Sequence, residues 1–481
     1  MSFYNLTSDP TLATLHDNQL KTDVNAVKNA INQSGYKCRL VVVILSEQSP
    51  SSMVQFQERL ENIKRTTGLD PKASLFVLPT RRSETELESA IDSILSAVFE
   101  QAIEYYRDLG RHSRKKKGRG IAPQPTIPPT SGTSHTLSLQ GWNVRYDFKT
   151  AVFAEFRQEI DTALRSYEQA YDTLLGADVL ETIPSWSPRF NDARLLADTI
   201  IIRILRCLLW AGQSTAAVRR WQTHRDRIAD VIDRKGHGTQ SYGWKAFEAR
   251  WAVVMADLIE RVKLPELDPS TLLLYRPPEK HLSAERLQPW ELLHHPGYWY
   301  RAAARHLLDR RKFAYLIPED DRKAPDTSPT AQRVNKSYSH DSYMCPEPYE
   351  EYPLVGEGVN HARMIFDLLV RAKAEFQKRR QLRLSAELAL DCCKELERLQ
   401  AWKQILELLT PLWRSMSVRS EGWWDITEAL SWTLRNAAVE VGQANLVIAI
   451  DWELLNRSKS NFGYKARKRW ANNYNRLYST S

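Results

Sequence analysis

The 481-residue chain is 42% hydrophobic and 10% aromatic, enough to build a core, which excludes wholesale disorder. At roughly 150 residues per domain, such a length fits about three domains or one extended architecture. Its five cysteines (Cys38, Cys207, Cys345, Cys392, Cys393) are too few and too irregularly spaced for a disulfide scaffold and fit a reducing compartment. The opening MSFYNLTSDP has no basic run followed by an apolar stretch, so it does not read as a secretory signal. The most apolar segment, 199–210, is interrupted by Arg203 and Arg206, which argues against a bilayer span.

Lysine and arginine exceed aspartate and glutamate by nine. Six of those positive charges fall in 111–119 (RHSRKKKGR) and seven in 457–481, with no acid in either segment, so the remainder is net negative by four. A nucleic-acid-binding domain would carry its positive charge on the folded face. Nucleic acid is therefore the weaker partner class, and an anionic membrane surface stays open.

In chain order, residues 1–110 read as an α/β unit. Leu20, Val24, Val27 and Ile31 share one helical face that ends at Gly35. The run 38–45 (CRLVVVIL) reads as a buried parallel strand. Ser52 with Gln55 reads as a capping box for a helix stopping near Gly68, 74–78 (SLFVL) is a second strand, and Ser83 with Glu86 caps a long helix towards Gly110. Residues 111–135, basic and proline-rich, read as a disordered linker, as do 318–358 with their prolines and acidic run. All fifteen tryptophans lie at or after Trp142, so the first unit differs in composition from the rest of the chain.

Residues 136–317 read as a helical core. Phe153, Phe156, Ile160, Leu164, Tyr167, Tyr171 and Leu174 mark one continuous stripe, and 191–211 is apolar nearly all round, hence buried. Val218, Trp221, Ile228 and Ile232 form a third stripe ending at Gly236, and Trp244, Phe247, Trp251, Val254 and Leu258 a fourth. Further helices are expected over 298–317, and over 359–380, 383–399, 401–413, 421–441 and 443–456 in a C-terminal segment 359–456, before a basic tail at 457–481. Helical pairs recur about every 30 to 45 residues, so the expected fold is mainly α, an irregular α-solenoid of antiparallel pairs behind a small α/β unit.

Motifs with a mechanism are absent. No glycines follow the strand 38–45, no phosphate loop, H-E-x-x-H or C-x-x-C occurs, and Gly236-His237-Gly238 and Gly356-Glu357-Gly358 read as turns. Cys392 and Cys393 are adjacent on one helix, so their side chains diverge by about 100° and pack into a core. His294 and His295 precede Pro296 without ligand-spaced neighbours and read as helix-end polar groups, and His224 could act as a base only beside a nucleophile that sequence cannot place. Two sets of residues read as candidate partner contacts. Arg220, Arg227 and Arg234 lie along one stripe, with pairing to acids of the next helix, such as Glu248 or Glu260, as the competing reading. In 443–456, apolar residues project almost all round, so Ile448, Trp452 and Leu455 are expected to leave an apolar patch at the C-terminal edge.

Four blocks carry a resemblance: FKTAVFAEFRQEIDTALRSYEQAY (148–171), RFNDARLLADTIIIRILRCLLWAG (189–212), AVRRWQTHRDRIADVIDRKGHGT (217–239) and YGWKAFEARWAVVMADLI (242–259). In this order they resemble the foie gras domain of the trafficking protein particle (TRAPP) complex subunit eleven family. The resemblance implies a helical, non-catalytic scaffold without cofactors, partnered by other TRAPP subunits and indirectly by a Rab GTPase. It also implies a role in ER-to-Golgi transport and autophagy, in the cytoplasm and peripherally at Golgi or ER–Golgi membranes. Because full-length members continue into β-sandwich domains, it further implies that this chain is a fragment. The alternative class is a helical-repeat module that binds anionic membrane or nucleic acid through its basic segments.

Overall fold

The computed structural model describes residues 1–6, 12–35, 39–46, 53–70, 74–79, 83–122, 137–184, 187–234, 238–264, 267, 292–316, 343–344, 360–415 and 421–456. Among them the chain forms two compact units, Met1–Ala170 and Tyr171–Ser481.

The first unit begins with a parallel sheet of β1 (Ser2–Leu6), β2 (Val42–Ser46) and β3 (Leu75–Pro79) in that spatial order, with Ser2, Val42 and Leu75 in register. Helices α1 (Ala13–Gln33) and α2 (Met53–Thr67) are the crossovers. Leu6, Val42, Ile44 and Leu75 meet Leu20 and Val24 of α1 and Ile63 of α2 in one buried cluster. Arg59 Nε and Nη2 each donate to the Asp17 carboxylate at 2.8 Å, fastening α2 to α1 beside that cluster. The strand β1 is not foreseen from sequence, because five residues with polar Ser2 and Asn5 give too short a pattern. The proposed Ser52–Gln55 box lies outside the residues whose side chains are described.

Helix α3 (Glu84–Gly118) requires a correction. The basic run 111–118 reads from sequence as disordered, yet it continues the helix, because Gly110 and Ser113 are buried in the last turns and Lys117 Nζ donates to Asp147 at 2.7 and 2.8 Å. Tyr106 stacks on Phe153 and packs against Phe156 in the same region. The lysines of the last turn also suit the negative end of the helix dipole. The rest of that linker, 123–135, lies outside the described residues. Ser83 stands at the N-cap, but its hydroxyl lies 3.3 Å from that of Thr85 and bonds no backbone N–H of the first turn.

Helices α4 (Leu139–Phe156) and α5 (Ile160–Leu174) divide what reads as one stripe. The chain turns at Gln158, φ 61°, so Phe156 is half exposed while Tyr167 and Tyr171 are buried. Residues on either side of a left-handed turn no longer share a helical face. Tyr167 Oη donates to Glu155 Oε2 at 2.6 Å across that corner.

In the second unit α6 (Pro188–Trp210) packs on α7 (Ser214–Arg234), and α8 (Tyr242–Val262) packs on α9 (Pro296–Leu316). Helix α10 (His361–Lys378) packs on both α9 and α11 (Leu382–Arg398), while α12 (Trp402–Arg414), α13 (Trp424–Val441) and α14 (Ala444–Asn456) follow as neighbours. Helix α6 is not buried on all sides: Leu195 and Trp210 are exposed. Ser138, Ser241 and Asn360 each accept a backbone N–H of the following turn and so start α4, α8 and α10. Gly442, at φ 77°, turns α13 into α14 where a side chain would be strained.

The segment 318–358, expected to be a disordered linker, contributes two core residues. Tyr343 and Met344 are buried, and Arg250 Nη2 donates to the Tyr343 carbonyl at 2.9 Å. A tyrosine with a partner for its hydroxyl can be buried despite its polar surroundings in sequence. The remainder of that segment and the tail from Arg457 lie outside the described residues.

The tightest approach lies between α9 and α10, where a Cβ on Gly297 would fall 2.8 Å from Cβ of Glu375 and 3.0 Å from the His295 ring. Gly297→Ala should therefore cost about 1–3 kcal/mol of stability by forcing the helices apart. Urea denaturation of the variant, analysed at constant m-value, checks this.

Candidate interaction site

Helix periodicity places His224 on the buried face of α7, between Trp221 and Ile228. Its ring is fully buried, with Nε2 3.0 Å from Asp198 Oδ1 on α6 and Nδ1 2.8 Å from Tyr171 Oη on α5. Tyr343 Oη donates to the same Asp198 oxygen at 2.8 Å. A carboxylate only accepts, so the Nε2 that faces it is a donor, and Nδ1 shares the second hydrogen bond with the Tyr171 hydroxyl. Arg194 caps the group, its guanidinium 4.5 Å from the Phe190 ring and 4.3 Å from the Tyr343 ring.

Acid, imidazole and hydroxyl stand in line here, as in a nucleophilic relay. The environment opposes that chemistry. Burial pushes both the Tyr171 and Tyr343 phenols well above their ordinary range, and His224 has no exposed surface through which to meet a substrate. The group pins α5, α6, α7 and Tyr343 together.

A second buried carboxylate repeats the theme across α7, α8 and α9. Glu248 accepts from Arg225 Nη2 and Lys245 Nζ, both at 2.6 Å, and lies 3.2 Å from His306 Nδ1. Burial alone would raise its pKa, but hydrogen bonds from His306, Lys245 and Arg225 outweigh burial and hold the carboxyl well below its usual range.

The arginine stripe is largely engaged within the chain. Arg227 Nη1 donates to Asp172 Oδ1 at 2.7 Å, and Arg234 Nη1 to Glu181 Oε1 at 2.5 Å. Arg220 and Arg227 lie 5.6 and 5.3 Å from the Tyr171 ring. Their acids precede α7 in the chain, whereas the sequence pointed to acids of the next helix: α5 itself carries Asp172, and the turn after it brings Glu181 to this flank. Glu248 is taken by Arg225, off the expected stripe.

At α14 the apolar residues part into two sets. Ile450 and Leu454 are buried against α13 in a cluster with Leu434 and Ala438. Ile448 and Trp452, four residues apart on the other face, are 67% and 72% exposed, and Leu455 is half-buried. Periodicity alone singles out these three without showing which is covered.

Near the start of α9 a cavity of about 310 Å³ is lined by His294, His295, Tyr298, Arg301, Arg305 and Phe376, among others. The His295 ring meets Phe376 edge-on at 4.7 Å, and its buried Nδ1 has no hydrogen-bond partner among the described residues. Burial, and then the nearby Arg379 charge, push its pKa down to about 4. Cys392 and Cys393 are fully buried in α11, and burial pushes the Cys392 thiol up to about 12. Among the described residues no three His, Cys, Asp or Glu side chains gather to hold a metal, and no helix is long and apolar enough to cross a membrane.

The family model described as Foie gras liver health family 1 matches residues 189–457. A second model, the trafficking protein particle complex subunit 11 N-terminal domain, matches residues 1–87. The chain is 24% identical to trafficking protein particle complex subunit 11 of Gallus gallus over 95% of its own length. It is 23% identical to that of Homo sapiens and 24% to that of Bos taurus, again over 95% of its length. The chain spans 38% of the length of these curated relatives.

His224→Leu would leave the Asp198 carboxylate and the Tyr171 hydroxyl without their shared partner, which should cost about 2–5 kcal/mol. Chemical denaturation reads that loss directly. His295 gives a pH effect. Its folded pKa of about 4 lies below its ordinary value of 6.5, so between these pH values the unfolded chain binds the proton first. Stability from this group is full above about pH 6.5 and declines as pH falls towards 4. His295→Gln should flatten that part of a melting-temperature profile.

Proposed function

Because the chain belongs to the Foie gras liver health family 1, we propose that it works as a non-catalytic scaffold of a TRAPP-type vesicle-tethering complex. Its direct partners are then other subunits of that complex, and its contribution to Rab GTPase activation is indirect. The setting is ER-to-Golgi transport and autophagy, in the cytoplasm and peripherally at Golgi or ER–Golgi membranes. The names of the relatives support the assembly, and the resemblance of the sequence supports the finer role.

One observation carries the scaffold reading: the exposed pair Ile448 and Trp452 on a helix that packs on α13 through Ile450 and Leu454. Burying such side chains in an interface contributes about 1.5–3 kcal/mol each. Arg220, Arg227 and Arg234 are assigned a secondary part, since the ion pairs of Arg227 and Arg234 with Asp172 and Glu181 would have to be exchanged on binding.

The double variant Ile448→Ser, Trp452→Ser tests the assignment. Co-purification of TRAPP subunits with the chain should fall at least about tenfold, the loss expected from about 1.4 kcal/mol or more of binding energy. The melting temperature should stay unchanged, because both side chains already face solvent. Undiminished co-purification would remove α14 from the interface, and absence of TRAPP subunits from the wild-type sample would remove the assembly reading itself.

A further inference from the structure

The first five turns of α3 are unlike the rest of the helix. Leu87, Ile91, Leu95 and Phe99 recur every fourth residue and are 36%, 39%, 52% and 45% exposed. Ile94 and Val98 border them and are half-buried. At 100° per residue these six positions fill one arc of about 140°, the width of a face that ordinarily lies against a core. Aromatic contacts come later in the helix, where Tyr106 meets Phe153 and Phe156.

The charges on this part of the helix have one sign, and at 100° per residue Glu84, Glu88 and Asp92 fall on or beside the stripe while Glu86, Glu100 and Glu104 fall on the opposite face. Residues 84–104 contain Glu84, Glu86, Glu88, Asp92, Glu100 and Glu104 and no lysine, arginine or histidine. Glu104 pairs with Arg39 at 3.3 Å. The other five are exposed and form no ion pair among the described residues. The helix dipole explains acids in the first turn, Glu84 and Glu86, but its effect fades within that turn. Glu88 and Asp92, the two acids beside the stripe after the first turn, lie beyond its reach.

We propose that Leu87, Ile91, Leu95 and Phe99 are the docking surface for a basic amphipathic helix of another protein. Four contacts at four-residue spacing span about 18 Å along the axis, the length of three to four turns of a partner helix. Such a helix supplies apolar side chains for the stripe and lysine or arginine for the flanking carboxylates, the helix-on-helix mode of recognition. A second copy of this chain is a poor occupant, since two stripes set face to face would bring two sets of like-charged carboxylates together. Anionic lipid is repelled by the same charges. This surface lies in the first unit and is independent of the α14 assignment.

Three synthetic helical peptides with the full chain form the test: one with a leucine stripe and lysine flanks, one with the same stripe and glutamate flanks, and one with lysine flanks and a scrambled stripe. Fluorescence anisotropy should show the first binding at least about tenfold tighter than either control, and weakening about tenfold between roughly 0.05 and 0.5 M NaCl. Leu95→Asp should abolish binding with an unchanged melting curve, and Glu88→Lys with Asp92→Lys should shift preference to the glutamate peptide. Equal affinity for the three peptides, no binding of the first, or indifference to Leu95→Asp would overturn the proposal. So would a dimer in sedimentation that Leu95→Asp dissolves, or Leu95-dependent binding to phosphatidylserine vesicles.

Discussion

Asp198 is a carboxylate taken out of water among helices, and the second unit is organised around meeting that demand. An uncompensated buried charge costs several kcal/mol, so every segment that reaches Asp198 is held to within hydrogen-bond distance of it. His224 comes from α7, Tyr343 from a distant part of the chain, and Tyr171 reaches it through the imidazole. Apolar packing surrounds the node, with Trp221 stacked on Trp251 and Phe247 set edge-on to it, but such contacts tolerate small rotations. The polar contacts do not tolerate them, and so fix helix register where oily contacts alone would leave several choices.

Glu248 applies the same constraint on the neighbouring side, with donors from α7, α8 and α9. Both nodes join helices that are consecutive or nearly so in the chain. Stability in this region is therefore assembled from neighbour terms, each with an apolar contact and a polar pin.

Much of this was legible in the sequence. The helices 188–210 through 444–456 announced themselves through apolar periodicity, and two of the three strands through β-branched runs, because burial of one face writes a period directly into the chain. Polar partners write no such period. His224 could be placed on a helix, but Asp198 lies 26 positions away and Tyr343 much farther, so the node appears only once the chain is folded. Lys117 misled for a related reason: a run of lysines resembles a solvated linker until Asp147 and the buried Gly110 and Ser113 are seen beneath it. The exposed apolar stripe of α3 has the periodicity of a buried one, and sequence cannot tell the two apart.

Tyr343 and Met344 sit in the core between Leu316, where α9 ends, and Asn360, where α10 is capped. Twenty-six residues separate Leu316 from Tyr343, and fifteen separate Met344 from Asn360. Neither separation along the sequence dictates where the dipeptide must sit. Its place is set instead by its phenol and carbonyl, since each meets a fixed partner. One tyrosine thus binds α6 through its phenol and α8 through its carbonyl, a tether point inside a stretch whose sequence reads as a spacer.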